Sequence, residues 1–193
     1  MSNPKRNNRI FRWVVVITIW TFFLAVLLGL AAQYSLSEIE SLSIALLVLL
    51  VVVSLGVVFD LIGTAAAAAD IAPLNAKAAR RVAGAKRGVY LVQNAEKVSN
   101  FCNDVAGDIS GVISGTLAAI IVIRLVVNLP YPQAELHLSI LLTAIVAAIT
   151  VGGKAVGKAI AIHRSTEVIL FVGMIITQFE KPFKLIKKER PRN

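Results

Sequence analysis

The sequence predicts an all-α integral membrane protein, with four transmembrane helices and cytoplasmic amphipathic helices beside them. Of its 193 residues, 57% are hydrophobic and 16% are charged, and the charges are separated by long apolar runs. Runs of this kind are typical of membrane spans, whereas a soluble domain intersperses its charges. The distribution of Lys and Arg around the runs is the second observation, because it gives every run a consistent orientation.

Four runs are predicted to cross a bilayer, since about 20 apolar residues in an α-helix span the hydrocarbon core. They are residues 13–32, 41–59, 105–129 and 138–153. A fifth apolar stretch, 168–179, is shorter than a span and is predicted to lie on the cytoplasmic face.

Basic residues cluster before the first run, between the second and third, and after the fourth, while the two other loops contain no Lys or Arg. The positive-inside rule therefore predicts that both termini are cytoplasmic in a multi-pass protein of the cell membrane. The net charge is +9. Because every basic cluster borders a span, we expect anionic lipid headgroups, and not nucleic acid, as the counter-charge.

Three regions are predicted along the chain. Residues 1–40 form an N-terminal cytoplasmic segment with an added transmembrane helix, 41–185 form the main transmembrane domain, and 186–193 form a basic cytoplasmic tail. Within the second region, residues 70–100 are predicted to be helical, and 75–98 suit an amphipathic helix on the cytoplasmic surface, interrupted near Gly84 or Gly88. The single cysteine excludes a disulfide framework. No pairing of a nucleophile with a base is apparent, so we do not expect an enzyme.

The third run contains a stripe of small and acidic residues. The glycines recur at every fourth position and are predicted to form a face for close helix packing: Gly107, Gly111 and Gly115. Asn100, Asp104 and Asp108 continue this stripe toward the cytoplasm. An unpaired carboxylate inside a span costs about 2.5 to 3.5 kcal/mol on insertion scales. Asp108 is therefore expected to have a partner.

Asp60 poses the same problem directly after the second run, which continues through it into a further apolar stretch, where Gly63 and Thr64 leave room beside it. The second and third runs are antiparallel, so Asp60 and Asp108 are predicted to face one another near the cytoplasmic side. Two carboxylates in low dielectric need a cation, a proton or a basic side chain between them. Lys154 and Lys158, one helical turn apart after the fourth run, are the candidate basic side chains.

Two segments resemble a known family: "VVFDLIGTAAAAADIAPLNAKAARRVAGAKRGVYLVQNAEKVSNF" and "LLTAIVAAITVGGKAVGKAIAIHRSTEVILFVGMI". Their order around a Gly-rich span is similar to the transmembrane domain of the CorC/cyclin-M magnesium transporters. The resemblance covers about 41–185. It implies three spans, a belt of juxtamembrane helices and a homodimer. The family's cytoplasmic CBS domains are not expected to follow, because the sequence stops at Asn193.

The resemblance also places the family's ion-binding signatures on this sequence. Asp60 falls where the family has a cation-binding Ser, and Gly63 replaces a Glu. In the later signature, at 153–161, Lys158 is kept while Lys154 replaces an acid. Asp108 lies within about two positions of the family's cation-binding Asn.

Two hypotheses about function follow. In the first, Mg²⁺ or another divalent cation is bound or transported in a cytoplasm-facing cavity lined by Asp60, Thr64, Asn100, Asp104 and Asp108. In the second, Lys154 pairs with Asp60 and Asp108 and takes the place of the ion. The protein would then be a non-transporting membrane partner or assembly subunit.

Overall fold

The computed structural model describes residues 4–37, 41–126 and 132–188, and all secondary structure in these ranges is helical. The helices are α1 (Pro4–Ser37), α2 (Leu42–Ala68), α3 (Ile71–Ala79), α4 (Ala85–Gln93), α5 (Ala95–Ser99), a π-helix (Asn100–Gly107), α6 (Asp108–Val126), α7 (Pro132–His163) and α8 (Ser165–Lys188). The predicted all-α class is confirmed. The last five residues of the predicted basic tail lie outside the described residues.

Within the described residues, four helical segments are long and apolar enough to cross a membrane, as predicted. They are Val14–Tyr34, Leu42–Ala68, Ala95–Leu125 and Leu136–His163. The third segment begins ten residues before the predicted run, and the fourth ends ten residues after it. Asp104 and Lys154 border the predicted third and fourth runs, but neither ends its helical segment, because one charged residue changes helix propensity only slightly.

The chain divides into two compact units, within 1–53 and 109–148 for the first and within 54–108 and 149–193 for the second. In the first unit, the buried residues recur at helical spacing on α2 and α6. They are Ala45, Leu49, Val53, Ile109, Ile113, Ser114, Leu117, Ala118, Ile121 and Val122. All but Ser114 are apolar, so this unit buries mainly aliphatic surface.

The second unit has a core of small and aliphatic side chains from several helices. It consists of Ala65, Ala66, Leu74, Ala85, Ala161, Ile169 and Leu170. Asp70 begins α3 as an N-cap, since its side chain accepts a hydrogen bond from the Ala72 amide at 3.0 Å. The chain then breaks before α4, where Arg81 (φ 58°) and Gly84 (φ 79°) adopt left-handed conformations. The predicted interruption near Gly84 is confirmed, and Gly88 lies inside α4.

Glycines bring α4 and α8 into backbone contact within the second unit. A Cβ at Gly173 would overlap the Gly84 carbonyl oxygen and lie 3.0 Å from the Gly88 amide nitrogen. Arg87 on α4 also donates a hydrogen bond to Glu180 on α8. The apolar stretch 168–179 is therefore a helix that packs on the short helices α3 and α4, and it is not one of the four membrane-length segments.

Candidate functional site

A buried ion pair joins α2 and α7 in the second unit. Asp60, near the end of α2, is 3% exposed, and its Oδ2 lies 3.5 Å from the Lys158 ammonium on α7. The Lys158 side chain is 52% exposed. One partner is therefore desolvated while the other keeps water, so the lysine neutralises the carboxylate at a lower desolvation cost than a fully buried pair would carry.

Two glycines on α7 explain why the lysine reaches this carboxylate. A Cβ at Gly153 would lie 3.1 Å from Val57 Cγ2, and one at Gly157 would lie 3.4 Å from Val57 Cγ1. The two positions are four residues apart, which is the spacing that lets two helix backbones approach closely. Lys154 and Lys158 each follow one of these glycines, so the close approach brings both ammonium groups to the α2 side of α7.

A second polar contact comes from the π-helix. In a π-helix the backbone amide of residue i+5 donates a hydrogen bond to the carbonyl of residue i. This geometry is uncommon and is often found at functional sites. Asn103 and Cys102 pack over Gly63 of α2: a Cβ at Gly63 would overlap Asn103 Oδ1 and lie 3.0 Å from Cys102 Cβ. The side-chain amide nitrogen of Asn103, Nδ2, donates a hydrogen bond to Ser99 Oγ at 3.1 Å. The space that the sequence predicts beside Asp60 is thus filled by Asn103.

Two oxygens at this site are buried without a hydrogen bond from any described residue, Asp60 Oδ2 and Asn103 Oδ1. Residues 60 and 63 lie one turn apart on one face of α2, and Asn103 covers the second of them. Two buried oxygens on adjoining helices therefore lack a hydrogen bond, and a nearby cation or hydrogen-bond donor would stabilise them. Lys158 brings a positive charge to one of them, Asp60 Oδ2, but the distance of 3.5 Å is longer than in a strong charge-assisted hydrogen bond.

Lys154 makes a different contact from the predicted one. Its ammonium donates to the Gly107 carbonyl oxygen at 3.5 Å, at the last residue of the π-helix. The predicted pair between Lys154 and the two acids is replaced by this carbonyl contact and by the Lys158 pair with Asp60. Lys158 reaches Asp60 in place of Lys154 because it lies one turn further along α7, where that helix passes the buried carboxylate.

The five predicted metal ligands differ in their burial. Asp104 and Asp108 are exposed, Thr64 and Asn100 are half-buried, and Asp60 is buried. Within the described ranges, no three His, Cys, Asp or Glu residues form a group that could hold a metal ion. Asn103 is not among the predicted ligands, yet it is the residue that contacts α2 at Gly63. Its position four residues before Gly107 continues the spacing of the glycines, and this signal could have revealed it.

Among the described residues of this chain, the predicted glycine face has a close neighbour at only one of its three positions. A Cβ at Gly107 would meet the Cys102 carbonyl oxygen at 3.3 Å, whereas Gly111 and Gly115 have no neighbouring atom within 4 Å of theirs. The buried face of α6 is instead aliphatic. The close glycine packing occurs on α7 at Gly153 and Gly157. Their spacing in "GGKAVGKA" could have revealed it.

Comparisons of this chain with protein-family models, with curated proteins and with solved structures found no match. In its described residues, the chain is all-helical and has four membrane-length helices. One of these helices carries a buried carboxylate, Asp60, that is paired with Lys158. The similarity to the CorC/cyclin-M family stays a prediction from the sequence motifs.

Proposed function

We propose that this chain is a multi-pass membrane protein, divergent from the CorC/cyclin-M type, that does not transport ions and acts as a membrane partner or assembly subunit. In this proposal both termini are cytoplasmic, and the four apolar helices cross the cell membrane. The distribution of Lys and Arg supports this orientation. Apolar side chains exposed on α1 support lipid contact, among them Trp20, Phe22 and Phe23 at 63% to 70% exposure.

The observation that carries the proposal is the contact of Lys158 with Asp60. A divalent cation such as Mg²⁺ needs carboxylate oxygens together with room for several bound waters. Here the carboxylate is already in contact with one ammonium, and a second ammonium, that of Lys154, lies on the neighbouring Gly107 carbonyl. The positive charges of Lys154 and Lys158 repel a divalent cation, and they neutralise the Asp60 carboxylate in its place.

The test measures thermal unfolding of the purified full chain in detergent, with and without millimolar Mg²⁺. We expect no stabilisation of the wild type. The double variant Lys154→Glu with Lys158→Ala should gain Mg²⁺ stabilisation, because it restores an acid and removes the competing charge. The matched control is Lys158→Arg, which keeps the positive charge and should stay insensitive to Mg²⁺. Stabilisation of the wild type by Mg²⁺ would overturn the proposal.

A second candidate function is divalent cation binding. The two orphan oxygens, Asp60 Oδ2 and Asn103 Oδ1, favour it because both are ligands of the type that hard cations prefer. In that case Lys158, which is half-exposed, would leave the carboxylate when the ion enters. Mg²⁺ would then stabilise the wild type, and the effect would disappear in both Asp60→Asn and Asn103→Ala.

A further inference from the structure

We propose that a cavity in the second unit binds one acyl chain of an anionic phospholipid from the surrounding bilayer. The cavity has a volume of about 440 Å³, is open on one side, and is lined by residues from α2, α4, α5, the π-helix and α8. This volume is in the range of about 300 to 1,000 Å³ in which proteins hold small ligands. Neither Asp60 nor Lys158 lines it, so it is separate from the ion-pair site.

The lining has the chemistry of a hydrocarbon tail on most sides and of an anionic head on one side. Phe59, Ile62, Phe101 and Ile176 supply apolar walls, and Lys97 and Asn94 supply an ammonium and an amide. Lys97 is exposed. A mostly apolar cavity with a few placed polar groups is typical of a ligand site. An amphiphile with one negative charge matches this arrangement.

The position of the cavity favours a bilayer lipid as its occupant. Phe59 and Ile62 belong to one membrane-length segment, and Lys97 and Phe101 to another. Lys97 lies near the beginning of its segment, at the depth where basic residues meet anionic headgroups if the segment spans the membrane. The inference therefore rests on the proposed insertion in a bilayer, and it is independent of whether the Asp60 site binds an ion.

A thiol in the cavity lining can report whether the cavity is occupied. Cys102 lines it and is the single cysteine of the chain. The rate at which an uncharged maleimide modifies this thiol therefore measures access to the cavity alone. A bound acyl chain should slow the reaction severalfold.

The experiment adds phosphatidylglycerol or phosphatidylcholine to the full chain in detergent and counts retained lipids by native mass spectrometry. We expect one phosphatidylglycerol to be retained in preference to phosphatidylcholine. Ile176→Trp should fill the cavity and abolish retention, while Ile175→Trp, beside it on α8 but outside the lining, should keep it. Lys97→Glu should lower phosphatidylglycerol retention by about fivefold, equivalent to the ~1 kcal/mol of one basic residue at an anionic surface. The matched control is Lys86→Glu.

Several outcomes would overturn the inference: equal retention of the two lipids, retention by Ile176→Trp, or stronger retention of a free fatty acid than of phosphatidylglycerol. If Ile176→Trp does not fold, the wild-type Cys102 still decides the matter. Modification must then be slower with phosphatidylglycerol than with phosphatidylcholine at equal concentration, and an equal rate would contradict the inference. A failure of these tests leaves the Mg²⁺ experiment unaffected, so the two proposals can fail separately.

Discussion

The two compact units differ in what they bury. The first unit buries aliphatic side chains and Ser114, whose hydroxyl donates to the Gly111 carbonyl at 2.9 Å. The second unit buries Asp60 and a set of glycines that stand against neighbouring atoms, including Gly63 and Gly173. Aliphatic faces adjust to small changes in volume, whereas a glycine packed on backbone leaves no room for a methyl group. The second unit should therefore be the more sensitive of the two to substitution.

The largest effect is expected for Gly173→Ala. Its new methyl group would overlap the carbonyl oxygen of Gly84, and backbone cannot move aside as a flexible side chain can. We expect a loss of about 3 kcal/mol or more in the free energy of unfolding. Denaturant unfolding in detergent micelles measures it.

The control for this substitution is Gly111→Ala in the first unit, which has open space around the new atom. It should change stability by no more than about 0.5 kcal/mol. Equal destabilisation by the two variants would remove the distinction between the units.

The next effect concerns the ion pair. Lys158→Met leaves the buried Asp60 carboxylate unpaired and should cost about 1 to 3 kcal/mol, at the lower end because the lysine is half-exposed. Asp60→Asn should cost less, since the freed lysine returns to water. In the double variant most of the lost stability should return. A double-mutant cycle on unfolding free energies measures the coupling, and additive losses would contradict the pair.

A smaller effect is expected where α7 crosses α2. Gly153→Ala places a methyl group 3.1 Å from Val57 Cγ2, a contact that a small shift of the valine can relieve, and it should cost about 1 kcal/mol. The cost should vanish in a Val57→Ala background. Gly152→Ala, its neighbour with open space, serves as the control and should be neutral. The same stability assay applies, and equal costs in both backgrounds would show that Gly153 does not pack on Val57.

The smallest effect is expected for Arg87→Met, which removes the ion pair with Glu180. The two side chains are 35% and 33% exposed, so water and salt screen the pair, and its loss should cost about 0.5 kcal/mol. High salt should reduce this difference, and Lys86→Met provides the control. A salt-independent loss of several kcal/mol would mean that the pair acts as a buried one.

Hydrophobic pattern was sufficient to predict the helices but not their ends. The four long apolar runs, and the break near Gly84, could be read directly because span length and glycine in a turn are local properties. The ends shifted by as much as ten residues because Asp104 and Lys154 interrupt the apolar pattern without interrupting the helical segment. The packing of 168–179 against α4 depends on a contact between glycines distant in sequence, which no local pattern contains.

The candidate site was predicted in part. Asp60 stood out because a carboxylate in an apolar run needs a partner, and Lys158 was one of the two lysines considered. Asp108 was expected to join it, yet it is exposed. Asn103 continues the spacing of the glycines at 107, 111 and 115, but an uncharged amide does not stand out in the sequence as a carboxylate does. The predicted stripe at 100, 104 and 108 assumed an α-helix, whereas residues 100–107 form a π-helix, whose wider turns change which positions share a face.

The central claim is that lysine, and not a divalent cation, neutralises Asp60. Titration of the purified chain with Mn²⁺, followed by electron paramagnetic resonance of the free ion, tests it most directly. We expect the wild type to leave Mn²⁺ free, and the double variant Lys154→Glu with Lys158→Ala to bind about one ion per chain, with ligands of the carboxylate and amide type. Binding of Mn²⁺ by the wild type, lost in Asp60→Asn, would contradict the account.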